Sequence, residues 1–181
     1  NYKNRGRNKS LKNQVLQKIS PSWSKFEVII GDPLFINDIK FMKVLKYGKL
    51  AILRNPLALF KSKRSIRFHF DMHHGNGNLD KAIDLLPKKD LQDFKTFTRK
   101  EVSFNRGNMF ITKSSKIIDA YFNDVFPWLK KCEKIFGYDL KEYSKIRMYT
   151  FLAERYSSFW FKKYTKYLEW PVVYYDINKK D

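Results

Sequence analysis

The chain has 181 residues, of which 43% are hydrophobic and 17% aromatic, so it can fold around a substantial core. Its formal charge of +19 attracts polyanions: nucleic acid, an anionic membrane surface or nucleotide-linked substrates. The single cysteine, Cys132, excludes an internal disulfide and a multi-cysteine zinc site and favours a reducing, cytoplasmic setting. No apolar run reaches the roughly 18 residues of a membrane span.

The positive charge is concentrated in the N-terminal part of the chain. Residues 1–67 hold 16 Lys and Arg against three acids, Glu27, Asp32 and Asp38. We expect a basic, mobile segment over residues 1–20 and a single α/β domain over residues 21–181. In that domain the run FEVIIGDP predicts a first strand. A short helix is predicted in INDIKFMKVLKYG, before the apolar run KLAILRNPLALF.

All three histidines of the chain lie in the stretch HFDMHHG. The alternation in SIRFHFD predicts a strand whose apolar residues face a core while Arg67, His69 and Asp71 share the other face. On such a strand His69 and Asp71 would lie about 7 Å apart, which suits two ligands of one metal ion. His73 and His74 would follow in the turn. A metal site, substrate contacts, and packing or turn chemistry all stay open.

The remaining elements are predicted from caps, breakers and apolar periodicity. The stretch HHGNGN predicts a turn, after which Asn78 or Asp80 caps a short helix that ends at Pro87. The next predicted elements are a helix at 88–100 and a buried strand at 108–113. The helix after them is capped by Ser114 and Ser115, has a kink or a new start at Pro127 and ends at Gly137. A long helix at about 140–164 and a strand at 170–176 complete the prediction. Strands separated by helices indicate an α/β fold with helices packed on a small mixed sheet.

The long helix near the C-terminus has two contrasting faces. At 100° per residue, one broad face is apolar and carries Met148, Tyr149, Leu152, Tyr156, Phe159 and Trp160. Arg147, Glu154 and Ser158 lie on the opposite side, with Arg155 at its edge. This polar side is either a solvated surface or a set of groups that point at a shared ligand.

The order of motifs along the chain resembles a known bacterial family. The motifs are HHGNGNLDKAIDLL, SFNRGNMFITK, FPWLKKCEKIFG, RMYTFLAERYSSFWFKKYTK and WPVVYYD, over about residues 69–176. They resemble a family of domains of unknown function whose members are grouped with glycosyltransferases of capsular polysaccharide and lipopolysaccharide biosynthesis. Members of that family begin with a nucleotide-binding α/β segment and a Y-R-R-Y-like motif, for which this sequence has no clear counterpart.

The resemblance implies a GT-A-like glycosyltransferase, or its acceptor-side portion, that moves a sugar from a nucleotide-sugar donor to a cell-surface polysaccharide or a lipid-linked acceptor. Such transfer needs a base for the acceptor hydroxyl and cations for the departing phosphate. We predict Asp71 and Glu154 as catalytic residues. The predicted substrate-binding residues are His69, His73, His74, Asn108, Arg147 and Arg155, of which the resemblance supports His73, Asn108, Arg147 and Arg155, as it does Glu154.

No D-x-D motif occurs, so we expect no metal ion or other cofactor in this segment, while the resemblance leaves a divalent metal open for the complete enzyme. The alternative function is a non-catalytic basic module that binds nucleic acid or an acidic partner. We do not favour nucleic acid, because no helix-turn-helix, RNA-recognition or zinc-finger pattern occurs. The expected location is the cytoplasm, with peripheral contact to the anionic inner face of the membrane.

Overall fold

The computed structural model describes residues 19–139, 141 and 146–172. Most of the predicted N-terminal basic segment, residues 1–18, and the end of the predicted last strand, residues 173–176, therefore lie outside the described residues. Among the described helices, none has the length and apolar character that crossing a membrane requires.

Two small sheets form the β part of the fold. The strands are β1 (Val28–Gly31), β2 (Pro33–Phe35), β3 (Ser103–Asn105), β4 (Phe110–Thr112) and β5 (Tyr167–Trp170). In the first sheet β1 lies in the centre, antiparallel to β4 and parallel to β5. The second sheet pairs β2 with β3 in antiparallel orientation. The sheet is therefore mixed, as the sequence predicts.

Helices make up most of the described chain. They are α1 (Phe41–Tyr47), α2 (Lys49–Arg54), α3 (Ile66–His74), α4 (Asn78–Ile83), α5 (Lys88–Lys100), α6 (Ser115–Phe136) and α7 (Met148–Tyr164). Short 3-10 helices lie at Pro21–Lys25, Ile36–Asp38, Pro56–Leu59 and Lys61–Lys63. Helix packing on a small mixed sheet confirms the predicted α/β class.

The prediction of a strand at SIRFHFD is wrong, because this segment forms helix α3. Ser65 begins the helix as its N-cap, with its Oγ accepting a hydrogen bond from the Phe68 N–H at 3.3 Å. The helix packs against α5 on one side and against α1 and α2 on the other. Apolar residues are therefore needed on opposing sides of the helix, and their resulting recurrence at every second position resembles the pattern of a strand.

The predictions of helix caps and breaks elsewhere in the chain were partly correct. Ser114 Oγ accepts a hydrogen bond from the Ile117 N–H, so the predicted cap of α6 is confirmed, and α6 continues without a break through Pro127. The predicted caps of α4 are wrong. Its N-cap is Gly77, at a φ of 82°, and Asn78 instead donates its amide to the His74 carbonyl at 2.9 Å, which closes α3.

Two predictions in the C-terminal half need correction, and a third concerns residues that are only partly described. The helix predicted from about residue 140 is described as α7 from Met148, and residues 140 and 142–145 lie outside the described part. The strand predicted as buried is β4, but Ile111 at its centre is 56% exposed, because β4 is an edge of the sheet. The last strand, β5, ends at Trp170, where the sequence predicts its beginning.

Helix α7 passes through the main hydrophobic core, between α5, α6 and β3. Its buried apolar residues pack on Trp128 of α6 and Phe94 of α5, and they are Met148, Leu152, Tyr156, Phe159, Trp160 and Phe161. Burial of each such side chain stabilises the fold by about 1.5 to 3 kcal/mol. Arg155 and Ser158, which the sequence places on the polar side, are each only 1% exposed, so the alternative of a solvated surface does not hold for these two residues.

A buried carboxylate joins α5 to α7. Asp90, at 0% exposure, accepts hydrogen bonds from the Tyr156 hydroxyl at 2.8 Å, the Tyr164 hydroxyl at 2.6 Å and Lys163 Nζ at 2.9 Å. Burial alone would raise the pKa of Asp90, but the hydrogen bonds from Tyr164, Lys163 and Tyr156 outweigh it and lower the pKa below its ordinary value.

A second, smaller core lies beneath α1 and α2, and a buried arginine organises it. Val44, Ala51 and Ala58 pack there against Phe68 and Met72 of α3. The neighbouring Arg64 is 0% exposed. Its guanidinium donates to three backbone carbonyl groups of this segment, those of Ile39 at 2.7 Å, Ala58 at 3.1 Å and Leu59 at 3.5 Å. Arg64 therefore holds the chain from residue 39 to residue 59 against α3.

We predict that Asp90→Asn lowers the free energy of unfolding by about 3 kcal/mol, because the buried Tyr156 hydroxyl and the partly buried Tyr164 hydroxyl lose a charged acceptor and Lys163 is left with Asp93 as its charged partner. The exposed control, Asp93→Asn, should change it by at most about 0.5 kcal/mol. The folded-state pKa of Asp90 is lowered, so its contribution is complete above the ordinary carboxyl pKa and is lost as the pH falls through the folded value. Urea unfolding at pH 7 and at low pH measures both effects, and equal behaviour of the two variants would contradict this role.

Candidate functional site

The polar residues predicted for the site lie on two opposite sides of helix α3. His69 and His73, four residues apart, share one side with their ring centroids 4.9 Å apart, and His69 contacts α7 and β3 while His73 contacts Tyr47 of α1. Asp71 lies roughly 160–200° away around the helix, among arginines of α2 and α3. The strand prediction, which placed His69 beside Asp71, is therefore wrong on this point. The two groups must be considered as separate candidate sites.

The first group is centred on Arg155, and we call it the Arg155 cluster (His69, His73, Phe104, Glu154 and Arg155). Nη2 of Arg155 donates to His69 Nδ1 at 3.0 Å, and Nη1 is bound to the Glu154 carboxylate. The guanidinium carbon lies 4.0 Å from the centre of the Phe104 ring. A buried cation with a carboxylate, an imidazole and an aromatic face as partners is well satisfied.

Glu154 also connects α7 to the turn between β3 and β4. One carboxylate oxygen accepts the Gly107 N–H at 2.6 Å, and the other accepts from Arg155. Gly107 and Asn108 both have positive φ, 95° and 50°, so this turn has a specific left-handed backbone. Asn108 donates its amide to the Thr150 carbonyl of α7 at 3.0 Å. Glu154 and Asn108 therefore both hold the turn against α7, and a catalytic role for Glu154 stays a prediction.

The protonation of His69 follows from its partner. A guanidinium can only donate, so Nδ1 of His69 is the acceptor and its proton lies on Nε2. Burial, followed by the nearby Arg155 charge, holds the pKa of His69 well below its usual value near 6.5. Burial also lowers the pKa of His73, as do the charges of Arg155 and Lys43. Both imidazoles are therefore neutral at pH 7.

The remaining predicted residues surround the Phe151 ring. The ring of His74, which is buried, stacks on Phe151 with centroids 4.2 Å apart and also contacts Phe70 at 4.7 Å. The guanidinium of Arg147 lies 5.3 Å from the Phe151 ring, and that of Arg155 lies 5.6 Å from it. The structure thus brings together every predicted site residue except Asp71, largely through aromatic contacts.

The second group lines a cleft of about 290 Å³ on the other side of α3. We call it the arginine cleft, and its charged residues are Arg54 of α2, Arg67 and Asp71 of α3, and Arg99 of α5, with Asn55 and Ser65 as further polar residues of the lining. The side chains of Arg54 and Arg99 are 42% and 47% exposed, so they can reorient toward a ligand. Three guanidiniums around one cleft suit a phosphate group, because each offers two parallel donors.

Two carboxylates balance the arginines of the cleft. Asp80 in the first turn of α4 binds Arg67 at 2.8 Å and Arg54 at 3.2 Å, and Arg99 lies 3.7 Å from it. Asp71 accepts the Gly77 N–H at 3.0 Å, while Arg54 and Arg67 stay at 3.9 and 4.0 Å. Three cations and two anions leave a net charge of +1 around the cleft.

The Asp71 carboxyl has an unusual electrostatic environment. It is only 8% exposed, and this burial raises its pKa. The Gly77 hydrogen bond, Arg67 and Arg54 oppose the rise in pKa, and the neighbouring Asp80 charge adds to it. A carboxyl with a raised pKa inside a cationic cleft is the kind of group that accepts or supplies a proton in catalysis.

No group of three or more His, Cys, Asp or Glu in the described ranges has an arrangement that could hold a metal ion. His69 and Asp71, the pair that the strand prediction would have made joint ligands, lie on opposite sides of α3, so they cannot bind one ion together.

The arginine cleft is not among the sites predicted from the sequence. No local sequence pattern marks Arg54 and Arg99 as members of one site. They are far apart in the chain and come together only because α2 and α5 both pack on α3. One sequence feature could have indicated the cleft. Residues 39–70 contain nine Lys and Arg and no Asp or Glu, so an anion site formed by this segment was to be expected.

The chain matches the model of a known protein family. A family model described as a domain of unknown function (DUF4422) matches residues 37–166, which are 130 of the 181 residues. The matched range contains both the Arg155 cluster and the arginine cleft. No curated protein and no solved structure matches the chain.

We predict that His69 is neutral at pH 7, with its proton on Nε2 and a titration midpoint well below 6.5. Long-range ¹H–¹⁵N NMR spectra measure both the tautomer and the pKa. Because the pKa is lower in the folded than in the unfolded chain, stability should fall as the pH drops below about 6.5. An Nδ1-protonated ring, or a charged ring at pH 7, would contradict the hydrogen bond from Arg155.

We predict that Glu154→Gln lowers the free energy of unfolding by about 1 to 3 kcal/mol, because buried Arg155 loses its charged acceptor. The exposed control Glu101→Gln should change it by less than about 0.5 kcal/mol. Thermal and urea unfolding measure the difference. If Glu154→Gln instead left stability unchanged and reduced turnover in a transfer assay by roughly 10², Glu154 would be a catalytic base rather than a structural contact.

Proposed function

The chain belongs to the family described as a domain of unknown function (DUF4422), and we propose that it is a nucleotide-sugar-dependent glycosyltransferase, or the acceptor-side portion of one. Its acceptor in this proposal is a cell-surface polysaccharide or a lipid-linked glycan. We further propose that the α/β domain is part of a GT-A-like enzyme acting at the cytoplasmic face of the membrane. The order of motifs along the chain supports the proposed reaction class.

The arginine cleft is the observation that carries this proposal. Transfer from a nucleotide sugar leaves negative charge on the departing nucleoside mono- or diphosphate, and this charge needs cationic groups that are already in place. Arg54, Arg67 and Arg99 converge on a cleft of about 290 Å³, enough for a diphosphate group. In the proposed complex the diphosphate takes over part of the role that Asp80 plays now, which is to pair with these three guanidiniums.

Asp71 is the proposed base of the reaction. Its raised pKa makes it a stronger base than an ordinary aspartate. The two nearest guanidiniums are 3.9 and 4.0 Å from its Oδ2, and this loose pairing leaves Oδ2 able to accept the proton of an acceptor hydroxyl. The Gly77 N–H fixes the other oxygen, Oδ1, at 3.0 Å and so orients the carboxylate. The Arg155 cluster does not reach this side of α3, and we assign to it the positioning of α3, α7 and the turn at Gly107.

We predict that Arg99→Gln weakens binding of the nucleotide-sugar donor by roughly 10- to 100-fold, because one charge-assisted phosphate contact is lost. The neighbouring exposed residue provides the matched control, and Lys100→Gln should leave donor binding unchanged. Calorimetric titration with UDP-, GDP- and CMP-sugars measures binding. Asp71→Asn should keep donor binding and reduce turnover by roughly 10².

The same experiment distinguishes the alternative function. If none of the donors binds or turns over, the glycosyltransferase proposal is abandoned. Tight nucleic-acid binding in a gel-shift assay, steeply weakened by salt and unaffected by nucleotide sugars, would then favour the basic module suggested by the charge of +19. An Arg99→Gln variant that binds donors as well as the unmodified chain does would move the donor site away from the cleft.

A further inference from the structure

One surface of the protein combines exposed apolar side chains with lysines, and we call it the lysine–leucine face. It is formed by α1, α2 and the two 3-10 helices that follow, which contact one another in sequence. Its apolar residues are at least 38% exposed, and they are Phe41, Met42, Leu45, Leu50, Leu53, Leu57 and Phe60. Lys40, Lys43, Lys46, Lys49, Lys61 and Lys63 are exposed among them.

The most exposed apolar residues of this face lie on two consecutive helices. Leu50 and Leu53 are one turn apart in α2, with exposed fractions of 66% and 77%, and Leu57, at 59%, lies in the 3-10 helix that follows. The small residues Ala51 and Ala58 are buried instead, under the same segment. The segment thus buries its small side chains and exposes its large ones, which is the reverse of the usual pattern in a soluble domain.

The lysine–leucine face is a built surface rather than a loosely attached loop. Arg64 donates to three backbone carbonyl groups of the segment from a fully buried position. Val44 and Ala51 pack on Phe68 and Met72 of α3 beneath it. Because the backbone is held from below, the outward-facing side chains keep a fixed arrangement that can contact an extended partner.

The charge of the segment selects the chemistry of that partner. Residues 40–63, which form this face, contain six exposed lysines and no Asp or Glu. A nucleic acid would use the lysines but would gain little from exposed leucines, since its backbone offers phosphates rather than an apolar phase. A bilayer with anionic lipids offers both, namely acyl chains for Leu and Phe side chains and negative headgroups for lysines.

We propose that the lysine–leucine face docks on an anionic lipid bilayer, with the side chains of Leu50, Leu53 and Phe60 in the interfacial region and the lysines at the level of the headgroups. This inference deepens the proposed function, because it rests on that proposal for the lipid-linked acceptor and identifies the surface that would meet the membrane. Its physical basis is independent of sugar transfer, and so is its test.

The test measures binding of the chain to vesicles of phosphatidylcholine with and without phosphatidylglycerol, with no nucleotide sugar present. We expect cosedimentation only with the anionic vesicles, and weaker binding at high salt. Lys43→Gln/Lys46→Gln should weaken binding roughly twentyfold and Leu50→Ser/Leu53→Ser roughly tenfold or more, because both charge and apolar insertion contribute.

Matched controls lie on helix α6, away from this face. Lys130→Gln/Lys131→Gln removes two exposed lysines, and Phe126→Ser/Ile135→Ser removes two side chains that are 57% and 55% exposed. Both control pairs should bind vesicles as the unmodified chain does, and circular dichroism should show that all four variants keep the fold. Equal losses in the control and test pairs would overturn the proposal.

Two other results would also overturn it. One is the absence of binding to anionic vesicles by the unmodified chain. The other is a concentration-dependent dimer in sedimentation equilibrium that Leu50→Ser/Leu53→Ser abolishes while vesicle binding is unaffected, which would make a second copy of the chain the occupant of this face. Vesicle binding without donor binding would contradict only the proposed function. Donor binding without vesicle binding would contradict only this inference.

Discussion

Helix α7 is buried on nearly all sides, so each of its polar side chains must find a partner inside the protein. This constraint determines how the other elements meet. The Ser158 hydroxyl exchanges hydrogen bonds with Asn105, whose amide continues to the Gly31 carbonyl of the central strand. Tyr156 reaches Asp90 of α5, and Arg155 reaches α3 through His69. The sheet, α5 and α3 are thereby fixed around one helix.

The same constraint divides the residues that resemble a catalytic site. Arg155, Glu154 and His69 satisfy one another, and in doing so they connect α7 to α3 and to the turn at Gly107. A guanidinium that is 1% exposed, with an imidazole and a carboxylate already bound, has little capacity left for a substrate. The cleft of about 290 Å³ lies instead on the opposite side of α3, where the side chains of Arg54 and Arg99 are nearly half-exposed.

The N-terminal half of the described chain follows a different principle from the C-terminal half. Around α7 the core is aromatic and extensive, with Trp128 and Phe94 at its centre. Beneath α1 and α2 the core is small, and backbone hydrogen bonds from buried Arg64 supply much of the order. The exposed large apolar side chains of α1 and α2 are not part of this core. Those side chains are left on the surface, where they are available to a partner.

Sequence alone determined the elements whose signals are local, because caps and helix breakers act within one turn. Three features are as predicted: the helix at 88–100 between Pro87 and Glu101, the Ser114 cap and the end of α6 at Gly137. It also determined the basic character of the chain and the α/β class. Only the tertiary structure decided that SIRFHFD is a helix, because packing on both sides of the helix removes the helical periodicity of its apolar residues. The tertiary structure also decided that His69 contacts Arg155, which is 86 positions away in the chain. The arginine cleft likewise exists only in three dimensions, because its cations come from three helices whose packing no local pattern specifies.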